Sequence, residues 1–196
     1  MLAEIAKRQG WAERPPGHWH RGKGGGDDDG DYSGSVPVDS IFDTAGDRVA
    51  DNFGVRVGNW VDDLNGRGAK YKPLLEAAEK RYGIPCGLLA RLAWQESRFR
   101  DDIVSGRTVS SAGAMGIMQI VTRWHPGVDP LNPAQAIDYA GQFLARLYKK
   151  FGTWELALKA YNWGEGNLAK WLCGEKIEPL ETRLYSAQIL SDLGIA

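Results

Sequence analysis

From about Lys70 onward the chain carries apolar residues at helical spacing, and no stretch alternates apolar and polar residues long enough to build a sheet. A period of 3.6 places residues i, i+3, i+4 and i+7 on one face, so this part must fold as packed amphipathic helices. Pro73 to Tyr82 has a proline in its first turn and stops at Gly83. Proline suits a first turn because the N–H it lacks has no helical partner there, and glycine accepts the left-handed turn that ends a helix. A second helix follows Pro85 and runs to about Phe99. Pro133 to Phe151 is a long amphipathic helix ending at Gly152. The Thr153 hydroxyl is placed to cap the next, Trp154 to Asn162, which ends near Gly164. Two more are predicted, at about Asn167 to Leu172 and Leu180 to Leu193. The fold class is mainly α.

The first third has a different character. Residues 1 to 68 hold 13 of the 25 glycines, and Gly10 to Gly34 mixes Gly, Pro, Asp, His and Trp. Such composition buries too little apolar surface to offset the entropy of ordering. It is read as an irregular Gly-rich arm over 1–68, with a packing segment between Val36 and Trp60, ahead of a helical domain over 69–196. The acidic run Asp27-Asp28-Asp29-Gly30-Asp31 suggests a calcium loop, but the EF-hand template then places Val36 where a bidentate Glu is required. A solvated loop fits better.

Composition narrows the function. A net charge of −1 argues against a dedicated nucleic-acid binder, which would carry a basic excess. Three His and two Cys show no metal-ligand spacing, so neither metal nor other cofactor is expected. Cys86 and Cys173 have no spacing that predicts a disulfide and are read as buried thiols. No run approaches the roughly 20 apolar residues of a transmembrane helix, and Met1 to Arg8 lacks the apolar core of an export signal. The eight Trp and seven Tyr fill a core or offer flat faces on which sugar rings stack.

One charge stands out. Leu89, Leu92 and Ala93 precede Glu96 by seven, four and three residues, so Glu96 shares their apolar face. Lost hydration there raises a carboxyl above the about 4.3 of a free Glu, which suits an acid catalyst near neutral pH. The plainer reading is a Glu held by a structural partner such as Arg100 or a backbone group.

Five segments then recur in a telling order: Gln95-Glu96-Ser97-Arg98-Phe99, Ser111 to Ile120, Asp129-Pro130-Leu131-Asn132, Ala160-Tyr161-Asn162-Trp163-Gly164-Glu165-Gly166, and Pro179 to Tyr185. Over roughly Lys70 to Ile189 the chain resembles the catalytic domain of soluble lytic transglycosylases, the lysozyme-like family that cleaves peptidoglycan. The resemblance implies a lysozyme-like α-helical domain in which Glu96 is the sole acid and base. Glu96 would protonate the oxygen between N-acetylmuramic acid and N-acetylglucosamine, then accept a proton from the muramoyl C6 hydroxyl as that oxygen closes onto C1. A 1,6-anhydro end results. Asp101 and Asp102 lie nearby in sequence, and either one across the cleft would favour a lysozyme-type hydrolysis instead.

By the same resemblance Ser97 is a motif residue, with a helix-end hydroxyl as the simpler alternative. Ser111, Met118 and Gln119 line the cleft, whereas Met115 and Ile117 belong to the core. Gly113 and Gly116 let backbone approach substrate or the catalytic helix, or serve close helix packing. Tyr161 would steady the Glu96 carboxyl, Asn162 would orient an acetamido group, and Tyr185 would be a cleft residue organised by Glu181. Trp163 and Glu165 depart from the family, which more often has a small residue and a proline there. The glycan strands of peptidoglycan are the expected partner. With no readable export signal, action in the periplasm or cell wall points to delivery by a phage, as a virion component whose arm meets other virion proteins or else as a lysis enzyme; a secretion-system wall-remodelling enzyme, or a fragment lacking its original amino terminus, is the alternative. A non-catalytic wall-binding or virion structural module is the alternative from another class.

Overall fold

The computed structural model describes residues 11–14, 18–21 and 60–195. The acidic run at 27–31 and most of the proposed arm lie outside them. The elements are β1 (Trp11–Arg14), β2 (His18–Arg21), α1 (Trp60–Asn65), a 3-10 turn (Ala69–Tyr71), α2 (Lys72–Tyr82), α3 (Leu88–Ser97), α4 (Asp101–Val104), β3 (Ala114–Met115), β4 (Ile120–Val121), α5 (Pro133–Phe151), α6 (Trp154–Trp163), α7 (Glu165–Leu172) and α8 (Leu180–Asp192). The protein is mainly helical, as its periodicity requires. Two compact units divide it, one of 1–35 with 146–187 and the other of 36–145 with 188–196.

Within the span read as an arm, β1 and β2 pair antiparallel, with Trp11 opposite Arg21 and Arg14 opposite His18. Neither Trp11-Ala12-Glu13-Arg14 nor His18-Trp19-His20-Arg21 alternates apolar and polar residues strictly, so the strand signal is missing from the sequence. The helical part also begins earlier than expected, at Trp60.

In the larger unit, α3 is the central element. α1 and α2 both pack on it, and all but two of its ten residues are buried. Gly83, left-handed at φ 66°, closes α2 by donating to the Glu79 carbonyl. The start of α3 has no local cap, because Gly87 carries no side chain. The Glu79 carboxylate of α2 takes that place, accepting from the N–H groups of Gly87 at 2.9 Å, Leu89 at 2.9 Å and Ala90 at 3.1 Å. A helix start leaves these donors without helical partners, and a nearby negative charge suits them. The buried Arg91 bonds Asp192 at 2.7 Å and Gln95 at 2.9 Å. The Trp94 ring meets the Arg91 and Arg98 guanidiniums, and its indole N–H donates to Asp63 at 2.8 Å. Phe99, Ile117, Ile137 and Leu144 are buried in this unit, as are Leu89 and Leu92.

In the other unit, Thr153 caps α6 as its sequence position suggests, its hydroxyl oxygen accepting from Leu156 N–H at 3.2 Å. α6 packs on α7, burying Leu156, Leu158, Ala160, Trp163 and Leu168. Neither cysteine enters a disulfide. Cys173 is buried as expected, but Cys86 is exposed, which corrects that half of the expectation. Cys86 follows Pro85 in the short connection before α3 rather than on a packed face.

Candidate active site

The expected site residues fall in both units, and each group has its own geometry. In the larger unit Glu96 lies in the last turn of α3, half-buried. The helix stops immediately after it. Arg98 and Phe99 both take left-handed backbone conformations, φ 50° and 52°, a strained choice for residues with a Cβ. Ser97 stabilises this ending. Fully buried, its hydroxyl donates to the Ala93 carbonyl at 3.0 Å and accepts from Phe99 N–H at 3.2 Å. Its geometry is that of a helix-end hydroxyl.

The two nearby carboxylates are held by other groups. Asp102 accepts from Arg100 at 3.2 and 2.9 Å and from the Thr108 hydroxyl at 2.9 Å. The Arg100 guanidinium lowers its pKa to about 2. Asp101 is exposed and pairs with Lys70 at 3.1 Å.

The segment 111–120 is a short ladder with turns. Met115 sits opposite Ile120 and Ala114 opposite Val121. Ser111 is exposed and Met115 half-buried, while Ile117 is buried as expected. Met118, expected along the cleft, is only 1% exposed, a core position. Residues 117 and 118 are adjacent yet both inward, because the chain turns there instead of continuing a helix. Gln119 is half-buried at φ 46°, its amide N–H₂ donating to the Gly116 carbonyl at 3.0 Å. Gly116 itself lies at φ 76°, and a Cβ there would collide with the Pro130 carbonyl. The close approach it permits is to that loop, whereas Gly113 has open space around it.

In the smaller unit Tyr161 and Asn162 occupy the last turn of α6, both half-buried. Asn162 Oδ1 accepts from the Thr182 hydroxyl at 3.0 Å. Tyr185 is only 2% exposed, and Glu181 is half-buried on the same helix. Tyr185 lies inward because Thr182, three residues earlier, and Ser186 mark the buried side of α8. Glu165, where the family more often has proline, accepts from Arg146 at 2.6 Å and Lys150 at 2.7 Å. Burial opposes its charge, but these two cations prevail and hold its carboxyl below the ordinary range.

Sequence reasoning missed three structural supports: the roles of Glu79, of Thr182 and of the Arg100–Asp102–Thr108 cluster. Glu79 had a readable signal. It follows Leu75 by four residues on the buried face of α2, the signature that marked Glu96. Among the described residues no group of three or more His, Cys, Asp or Glu is placed to hold a metal, and no helix is long and apolar enough to cross a membrane.

A mainly helical chain with a half-buried glutamate ending its central helix, and a Tyr-Asn pair ending another, defines a class that comparison identifies. Residues 73–180 match the Transglycosylase SLT domain, and the chain belongs to that family. It is 37% identical over 109 residues to a protein of Escherichia phage T7 named peptidoglycan transglycosylase gp16, covering 50% of this chain and 8% of that protein. It is 33% identical over 110 residues to membrane-bound lytic murein transglycosylase F 1 of Alkalilimnicola ehrlichii, covering 50% of this chain and 21% of that protein. The chain thus spans a small part of either relative's length.

Proposed function

We propose that this chain cleaves the β-1,4 bond between N-acetylmuramic acid and N-acetylglucosamine in peptidoglycan, releasing a 1,6-anhydromuramoyl end. The observation that carries the reading is Glu96, half-buried within the family-matched span 73–180, with both neighbouring carboxylates engaged by cations. A two-carboxylate glycosidase needs its second group available as nucleophile or base. Here Asp102 is bound by Arg100 and Thr108, and Asp101 by Lys70. With those two engaged, Glu96 is the carboxyl proposed to work in both directions.

Glu96 first donates its proton to the glycosidic oxygen as the C1–O bond breaks. The muramoyl C6 hydroxyl then bonds to C1 and passes its proton to the Glu96 carboxylate, which restores the acid. No water is consumed. Ser111, Gln119, Tyr161 and Asn162 bind the glycan; Ser97 holds the end of α3 and Glu181 organises α8. Met118 and Tyr185, each buried within its own unit, contribute through packing.

The domain of 69–196 carries this activity, and 1–68 joins it to a larger assembly. The phage T7 relative, named a peptidoglycan transglycosylase, supports a phage enzyme acting on the wall, and local wall opening during genome entry is the setting proposed for it. Glu96→Gln is expected to lower wall clearing by at least the roughly 10²–10⁴-fold typical of a positioned acid–base group; unchanged clearing would overturn the role. Mass spectrometry of the released muropeptides decides the reaction, since an anhydro end is one water lighter than a hydrolysed end. Detection in purified virions tests the setting.

A further inference from the structure

We propose that Glu165 is a positioning residue whose ion pairs stiffen the α6–α7 joint, so that glycan binding through Tyr161 and Asn162 depends on salt. This rests on the placement of that pair in the glycan site argued above. α6 and α7 meet at one residue, Gly164, which ends the first helix and starts the second at φ 89° and ψ 141°. Glycine is the least restrained residue, so the backbone alone leaves this joint soft. Asn162 and Tyr161 stand only two and three residues before it. A proline after the glycine, as the family more often has, would fix its own φ at about −65° and stiffen the start of α7. Glutamate has no such ring.

Charge takes the ring's place. Glu165 opens α7, and its carboxylate accepts from Arg146 at 2.6 and 3.3 Å and from Lys150 at 2.7 Å. The two cations are one turn apart on one face of α5, so together they tie the first turn of α7 to the end of α5. Burial opposes the Glu165 charge, yet the cations hold its carboxyl below the ordinary range, so the clamp stays charged at neutral pH. Salt is what loosens it. The Arg146 side chain is 52% exposed and that of Glu165 29%, and the screening length falls from about 10 Å at 0.1 M salt to about 3 Å at 1 M. A neutral bond also crosses the joint, from Asn167 Nδ2 to the Trp163 carbonyl at 2.8 Å. Salt leaves that bond in place, which limits the effect to a few-fold.

The experiment compares wild type, Glu165→Gln and Glu165→Pro at pH 7 in roughly 0.1 M and 1 M sodium chloride. Glu165→Pro exchanges the clamp for a ring, and Gly164 already has the extended ψ that a following proline requires. Hydrogen exchange reports the joint itself, at Gly164 N–H, which donates to the Ala160 carbonyl, and at Leu168 N–H, which donates to the Gly164 carbonyl. Calorimetry with a tetramer of β-1,4-linked N-acetylglucosamine reports binding, and this uncharged ligand leaves salt only the protein to act on. In wild type both the exchange rate and Kd should rise about two- to fivefold in high salt, the range of exposed ion pairs. Glu165→Gln should start from the raised values and ignore salt. Glu165→Pro should keep the low values and ignore salt. A merely structural clamp would change the melting temperature without giving Kd a salt slope that proline removes. Salt-insensitive exchange or binding in wild type overturns the proposal, as does a Glu165→Pro protein with the wild-type slope. If either variant fails to fold, the other decides with wild type. The transglycosylase reading is judged separately by the anhydro product: a wild type that forms it while its Kd ignores salt overturns this inference only.

Discussion

Replacing Glu79 by alanine would strip the start of α3 of the acceptor for three backbone N–H groups. Leu89 and Ala90 N–H are buried, and a buried donor left unsatisfied costs about 1–3 kcal/mol. Gly87 N–H is partly accessible, so water replaces much of that bond. Losing the charge at the positive helix end adds about 0.3–1 kcal/mol. Against this, a carboxylate only 4% exposed no longer has to be kept from water, which returns part of the cost. The balance is a destabilisation of about 2–4 kcal/mol, from the two buried donors above all. Glutamine is the graded comparison. Its carbonyl oxygen still serves Leu89 and Ala90, but its amide N–H₂ faces the Gly87 N–H, so the loss should be about 1–2 kcal/mol. The pH dependence has a definite sign. Burial pushes the Glu79 carboxyl up, with the three N–H groups countering only part of the effect. The folded protein therefore binds this proton more tightly than the unfolded chain does. The resulting stability is fully present below the unfolded value and is lost as pH rises through the folded one. The advantage of wild type over Glu79→Gln should widen as pH falls from 7 to 4. Urea denaturation followed by tryptophan fluorescence and circular dichroism measures all three proteins. An alanine variant within about 1 kcal/mol of wild type, or a glutamine variant as unstable as the alanine one, refutes the capping argument.

Gly116→Ala and Gly113→Ala form a controlled pair, since both positions are left-handed, at φ 76° and 81°. Each should lose about 1–2 kcal/mol to backbone strain, but only Gly116→Ala adds a collision with the Pro130 carbonyl; equal melting temperatures would refute the packing explanation. Asp102→Asn should cost about 1 kcal/mol at pH 7, discounted because the group is a third exposed. Its folded pKa is depressed to about 2, so the stabilisation is present above the unfolded value and lost as pH falls through about 2. Stability curves of the two proteins should converge there, and a gap independent of pH would refute the role of the charge.

Much of the fold is legible in the sequence because helices announce themselves locally. Pro73, Gly83, Thr153 and Gly152 sit where α2, α5 and α6 begin or end, and each acts through its own backbone or its nearest neighbours. The candidate site is legible only in part. Glu96 is recognisable from its apolar face, and Tyr161 and Asn162 from their motif. The burial of Met118 and Tyr185 is not, because which face of a short segment turns inward depends on what packs against it. The ladder at 114–121 likewise depends on contacts across a turn that no period reveals.

Local stereochemistry by itself thus determined the mainly α class, most helix ends and the position of the central glutamate. The tertiary structure alone decided how those parts are held. It brought the Glu79 carboxylate to a helix start eight residues away, the Thr182 hydroxyl to Asn162 twenty residues away, and Asp192 to Arg91 across 101 residues. Hydrogen bonds of this kind depend on distance in space, and a sequence records only distance along the chain.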